Sequence, residues 1–367
     1  MTTQFSPRLA SPQARFEAVP LTPANLRGAK AAYSVRRVPK HHMQTLLLGE
    51  LQPRSGDLVL AEIVRLGQHR RIELGNGRRA WLHPGDRVIL CYGNRYAPDQ
   101  FEAYVPDSLC PCQMVAAGGI AALQHCKHEA VKDATDILPL GLIGDGQGRP
   151  LNLADWALPP KDPATRPLTL AVLGTAMNAG KTTTAAHLIR GLSRAGLKVG
   201  AAKITGTGAG GDVWLMQDSG AEPVLDFTDA GFASTFGLPP QTLERIGATL
   251  CAHLIEAGAE VLVLEIADGL LQQETAALLD SAWFRNQVDG ILFAAADALG
   301  AKAGTELLQQ RHLPLLAVSG ALTASPLATA EAARVVPCPV VGKADLTCEA
   351  VLEVLGLAQS PQRCLAQ

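Results

Sequence analysis

The sequence predicts an α/β protein. Its C-terminal domain is expected to hold a mostly parallel sheet covered by helices on both faces, preceded by a smaller β-rich N-terminal domain. Three observations lead there. From residue 168 onward, short apolar runs alternate with longer segments of helical period. Between residues 57 and 92, shorter alternating runs are divided by tight turns. Between these regions, residues 157–167 hold Pro159, Pro160, Pro163 and Pro167 and no apolar period. Proline fixes its own φ and pushes the preceding residue out of the helical region, so this stretch reads as a linker.

Taken in order, residues 1–40 are basic and spotted with proline, and read as an irregular N-terminal arm. Residues 41–156 read as the β-rich domain, a small barrel or sandwich with one helical segment. Its first strand is the apolar run at 57–64. Arg71-Ile72-Glu73-Leu74 and residues 78–82 flank the turn Gly75-Asn76-Gly77, a hairpin signal. Pro84-Gly85-Asp86 then turns the chain into a strand at 87–92. Residues 113–138, centred on Ala116-Ala117-Gly118-Gly119, read as helical. Residues 168–367 form the second domain. Strands are expected at 168–174, 199–204, 224–227, 261–266, 290–295, 315–319 and 340–341, and helices at 181–195, 240–257, 270–284, 301–311, 327–335 and 348–355. Val261-Leu262-Val263-Leu264 is apolar at every position, as a strand buried on both faces is.

Composition limits the function. The chain has 367 residues, 47% hydrophobic and 4% aromatic, enough for two domains that each bury a core. A net charge of −2 gives no bulk attraction to nucleic acid or to an acidic membrane surface. No apolar run reaches the roughly 18 residues of a membrane span. The start, Met1-Thr2-Thr3-Gln4-Phe5, lacks a leader-like apolar stretch. The eight cysteines are scattered, so a cytoplasmic protein with reduced thiols is expected.

The strongest chemical signal is Gly174-Thr175-Ala176-Met177-Asn178-Ala179-Gly180-Lys181-Thr182-Thr183, between an expected strand and an expected helix. That is the setting of a phosphate-binding loop, or P-loop, for a nucleoside triphosphate, here ATP with Mg2+. Gly180 lets the backbone approach a phosphate, consecutive amides form an anion nest, and the helix N-terminus adds positive field. Lys181 is expected to reach the β- and γ-phosphates, and the Thr182 hydroxyl to ligate Mg2+. The strict spacing of such loops is missed by one position: Thr175 stands where the first glycine belongs, and Gly174 precedes it. An ordinary Gly-rich turn is the alternative.

With this loop the C-terminal half resembles dethiobiotin synthetase and its relatives, over residues 168 to about 345. The resemblance implies a second lysine at the end of the next strand, and Lys203-Ile204-Thr205-Gly206-Thr207-Gly208 occupies that place. Lys203 would then hold the anionic substrate and the transferring phosphate, with Thr207 in place of the family's serine. The resemblance also implies an acidic metal ligand, for which Asp212 is the nearest candidate and Asp218 the second. Glu265, in Leu264-Glu265-Ile266-Ala267-Asp268-Gly269, would complete the metal shell with Thr182. Phosphoryl transfer itself needs charge neutralised on the γ-phosphate, which two lysines and Mg2+ supply.

Other roles fit some of these residues. Lys203 also reads as a solvated lysine at a strand end, and Asp212 as the cap of a helix opening at Val213. Asp226 and Asp229 suit substrate contact or a turn equally. The sequence departs from the family on the substrate side, at Ala176, Met177 and Asp268-Gly269, so a different substrate is expected. In the first half, Cys110, Cys112, Cys126, His125 and His128 read as zinc ligands or as apolar thiols. The polar loop 93–100 reads as a turn or as a substrate contact across the interdomain cleft.

The expected function is ATP-dependent activation of a carboxylate or carbamate by phosphoryl transfer, for ligation to an amine. Two alternatives remain: a nucleotide-switched accessory NTPase for cofactor or metal insertion, and a small-molecule kinase. The guanine-reading Asn-Lys-x-Asp sequence is absent from the chain. The partners expected are a small-molecule substrate and, by analogy with the family, a second copy in a homodimer.

Overall fold

The computed structural model describes residues 16–357. In the N-terminal half, ten strands form one sheet. Five of them, Leu58–Arg65, Arg87–Tyr92, Ile120–Lys127, Cys112–Ala116 and Thr135–Gly144, pair in a closed cycle. This is a small barrel, and closure leaves those strands without a free edge. Its interior holds Leu60, Ile63, Ile89, Cys91, Met114, Ile137 and Ile143, all almost fully buried. The expected hairpin forms as Arg71–Glu73 paired with Arg79–Trp81.

Two expectations in this half are corrected. Residues 113–138 are not helical: they supply two barrel strands and the start of a third. The small residues that suggested a helix make the connection instead. Gly119 has φ +93°, and a Cβ on Gly118 would lie 2.1 Å from the carbonyl oxygen of Gly208 in the second domain. Nor are residues 16–40 an irregular arm. Phe16–Pro20 pairs with Thr45–Gly49, Lys30–Ala31 pairs with Arg87–Tyr92, and Tyr33 and Val35 are buried. Residues 1–15 of that expected arm lie outside the described residues.

The second domain holds a six-stranded parallel sheet. Its order is Ala221–Asp226, Val199–Lys203, Val261–Glu265, Leu168–Gly174, Gly290–Ala294, Leu315–Ser319. Helices cover both faces, and the core is accordingly two clusters, one on each side. Three elements differ in detail. The helix expected at 270–284 is two, Gln273–Leu279 and Ala282–Gln287, because the Ser281 side chain accepts from the Phe284 amide and starts a new helix. Val340 makes only an isolated bridge to Val318. The final helix is confined to Val351–Val354, with a further helix at Lys343–Thr347.

Register in the parallel sheet decides where chemistry gathers. Lys203 and Val172 both pair with Glu265, so two neighbouring strands end level, two residues short of Gly174 and the loop that follows it. The carboxyl ends of such strands are where open α/β sheets bind ligands. The barrel domain packs over this end. Tyr33 donates to Asp226 Oδ2 at 2.8 Å, Glu73 accepts from the Gly210 amide at 2.8 Å, and Tyr96 lies against Phe236.

Candidate functional site

The strand Leu168–Gly174 delivers the chain to the loop, and the helix Lys181–Arg194 leaves it. The helix cap is Gly180 at φ +94°, where a Cβ would sit 2.9 Å from the Ala321 amide nitrogen. Only glycine fits that conformation and that gap. Asn178 also takes a positive φ, 64°, which asparagine tolerates better than most residues. This strand, loop and helix, built on an inner strand of the helix-covered parallel sheet, have the arrangement of a phosphate-binding loop. Asn178, Gly180, Lys181, Thr182 and Thr183 line a cavity of about 330 Å3 at the helix N-terminus.

The charged residues converge here. Lys181 is 6% exposed, and its ammonium donates to the Ala176 carbonyl at 2.8 Å. Lys203, at the end of Val199–Lys203, pairs with Asp212. Thr182 Oγ1 lies 2.9 Å from Glu265 Oε1 and 3.2 Å from Asp212 Oδ1. Asp212 sits in the first turn of Gly211–Asp218, whose cap is Gly210, so it is not the helix cap. Asp218, at the other end of that helix, is exposed. Thr207 lines an adjoining cavity between the domains.

Electrostatics follow from burial and neighbours. Burial lowers the Lys181 pKa, with Glu265 opposing it. Burial would also lower Lys203, but Asp212 and then Glu265 outweigh it and hold the lysine above its ordinary value. Glu265 is 1% exposed, and burial, aided by the Asp212 charge, pushes its pKa up to about 7. Its Oε2 atom is buried without a hydrogen-bond partner among the described residues. A buried carboxylate oxygen left this way is costly. A cation at Thr182, Asp212 and Glu265 relieves that cost, and two carboxylates with a hydroxyl are hard oxygen donors of the kind Mg2+ takes. Among the described residues, no three His, Cys, Asp or Glu side chains gather as a metal site. Cys110, Cys112 and Cys126 accordingly do not converge: Cys112 is buried, while Cys126 is exposed and hydrogen-bonded to Glu102.

Sequence reasoning offered the polar loop 93–100 as a turn or a contact across the interdomain cleft, and missed Glu73. Glu73 binds the Gly210 amide and Arg79, and so fixes the start of the helix that carries Asp212. Asp99, in the polar loop, accepts from the Asn178 side chain of the phosphate loop. Asp226 and Asp229 do not face the cavity; they bind Tyr33, Arg36 and Arg37 across the domain contact.

No protein-family model matches the chain. No curated protein matches it either. Some solved structures are similar. The signal recognition particle 54 kDa protein of Aeropyrum pernix, in complex with GDP, is 21% identical over 56% of this chain and 49% of its own, with a TM-score of 0.37. The kinase domain of the Escherichia coli tyrosine kinase ETK is 12% identical over 42% of this chain and 67% of its own, with a TM-score of 0.33. The signal recognition particle receptor FtsY of Elizabethkingia anophelis, in complex with GDP, is 17% identical over 44% of this chain and 51% of its own, with a TM-score of 0.32. The chain thus spans about half the length of the two signal-recognition proteins.

Proposed function

We propose that this protein is an ATP- and Mg2+-dependent enzyme that passes a phosphoryl group to a carboxylate or carbamate, activating it for capture by an amine. The observation that carries this reading is the pair of lysines. Lys181 rises from the phosphate loop and Lys203 from the next strand end, and Lys203 lines both the loop cavity and a second cavity between the domains. A lysine that borders both spaces suits transfer from a nucleotide on one side to an acceptor on the other. The resemblance to dethiobiotin synthetase supports the same division.

In this reading, the Thr182 hydroxyl, Asp212 and Glu265 hold Mg2+, which neutralises phosphate charge when bound. Lys181 and Lys203 spread positive charge over the transferred group. An acceptor carboxylate or carbamate oxygen attacks the γ-phosphorus. The bond to the β,γ-bridging oxygen breaks, and ADP leaves with that electron pair. Amine attack on the resulting acyl phosphate then expels inorganic phosphate. The barrel domain covers the strand ends and limits water there.

The contact from Asp99 to Asn178 favours a second reading, a nucleotide switch in which the barrel senses the phosphate loop. Phosphate release over an acid and amine panel, measured for the wild type, Lys181→Ala and Lys203→Ala, separates the two. Lys203→Ala should bind Mg·ATP within about threefold of the wild type and lose at least ~100-fold in turnover. Unchanged turnover in Lys203→Ala, or no substrate-stimulated release by the wild type, refutes the transfer reading.

A further inference from the structure

Arg95 is a buried guanidinium without an ionic partner. It is 6% exposed, and no carboxylate lies within 4.0 Å of it among the described residues. Its Nη1 donates to the Val115 carbonyl and its Nη2 to Gln100 Oε1 at 2.8 Å, both neutral acceptors. Its Nε is buried with no hydrogen-bond partner among the described residues. Taking a charge out of water without an opposite charge is among the costliest arrangements a fold can hold. Within the barrel, the Arg95 guanidinium also lies 5.8 Å from the centre of the Phe101 ring.

The cavity beside it accounts for the residue. Arg95, His69 and Gln100 line a space of about 230 Å3 between the domains, closed on the far side by Lys203 and Asp268. The Nδ1 atom of His69 is likewise buried without a hydrogen-bond partner among the described residues. Asp268 acts on Arg95 through space without reaching salt-bridge distance. Of the charged residues lining the cavity, Lys203 and Asp212 pair with each other, which leaves Arg95 at the barrel end and the Asp268 carboxylate at the sheet end. A multiply charged anion meets Asp268 unfavourably, whereas a ligand with one carboxylate and a hydrogen-bond donor matches both ends.

We infer that the interdomain cavity is the acceptor site, and that it takes a small amino or hydroxy acid whose carboxylate Arg95 holds and whose amine or hydroxyl faces Asp268, so that in the transfer reading the group presented to Lys203 is that amine's carbamate and not the carboxylate at Arg95. This rests on the transfer reading only for the ligand's fate, not for its binding. An arginine kept for a ligand should also cost the free protein stability.

Isothermal titration with α-amino acids, α-hydroxy acids and their carboxamides tests this, with and without Mg2+ and a non-hydrolysable ATP analogue. At least one acid should bind the wild type and its carboxamide at least tenfold more weakly. Arg95→Gln should lose that binding at least tenfold, keep nucleotide affinity, and melt no lower than the wild type without ligand. Ala117→Leu, which narrows the same cavity without touching Arg95, should lose the acid too. If no acid binds, or Arg95→Gln or Ala117→Leu binds it as the wild type does, the inference is wrong. If an acid binds through Arg95 but no phosphate is released, the acceptor site stands and the transfer reading fails.

Discussion

Glu265 ends a strand that is otherwise Val261-Leu262-Val263-Leu264, and every residue of that strand is buried. A carboxylate there is tolerable only with a partner, and the Thr182 hydroxyl satisfies just one of its oxygens. Replacing it with glutamine keeps the shape and removes the charge. Glu265→Gln should weaken Mg2+-dependent nucleotide binding by roughly 10–100-fold, the range seen when metal sites lose supporting groups. It should leave metal-free nucleotide binding nearly unchanged, and titration with and without Mg2+ reads both. His69 gives a pH signature of different origin. Burial, and then the Arg95 charge, push its pKa from 6.5 down to about 3. Between those values the unfolded chain holds a proton that the folded protein lacks. Stability should therefore fall as pH drops through that window, by about 1.4 kcal/mol per pH unit for one proton. His69→Gln cannot titrate, so its melting temperature should decline less than the wild type's between pH 6.5 and pH 5. Parallel decline of the two proteins would show that His69 is solvated.

At the scale of elements, the phosphate loop depends on backbone shape more than on side chains. Gly180→Ala forces a Cβ into a left-handed conformation against the Ala321 amide. The conformational cost alone is about 1–2 kcal/mol, and relaxing the clash moves the amides that line the cavity. Nucleotide binding should fall at least tenfold with the sheet intact, as circular dichroism and titration together would report. The loop and the parallel sheet are legible in the sequence because their signals are local. Apolar runs, helical spacing and Gly-Lys-Thr at a strand end each lie within a short window. The segment at 113–138 misleads because Ala116-Ala117-Gly118-Gly119 carries no β-branched signature, and its strand form is fixed by partners elsewhere in the barrel. Of the site residues, Lys181, Thr182, Lys203, Asp212 and Glu265 are brought together at the strand ends. Glu73 and His69 are not readable in advance, whereas Arg95 lies in the loop 93–100 that the sequence marks as a turn or a contact across the interdomain cleft. Glu73 matters through its bond to Gly210 across the domain boundary, and His69 and Arg95 through the cavity the two domains enclose, which no local pattern encodes.

The whole molecule works as one site only if the two domains stay docked, and the docking is largely polar. Arg36 binds Asp229 at 2.6 Å, lies 3.4 Å from Asp226 and covers the Tyr33 ring at 4.0 Å, while Tyr33 binds Asp226. Asp226 and Asp229 are almost fully buried, at 0% and 4% exposure. Removing the arginine leaves two carboxylates facing each other with only the more distant Arg37 as a cation. Breaking a buried pair from one side costs about 3–5 kcal/mol, so Arg36→Met should lower stability by that order. The loss should fall on the domain contact, since each half keeps its own core. Two separated transitions in chemical denaturation are expected where the wild type shows one. Nucleotide binding resides in the second domain and should survive, whereas acid binding and phosphate release need Arg95 and Lys203 on opposite walls of one cavity and should fall together. Asp226→Asn in the Arg36→Met background relieves part of the carboxylate repulsion and should recover some stability without recovering release. A variant that keeps a single transition and full release would mean that the polar contact is incidental, and that the apolar contact of Tyr96 with Phe236 holds the domains instead.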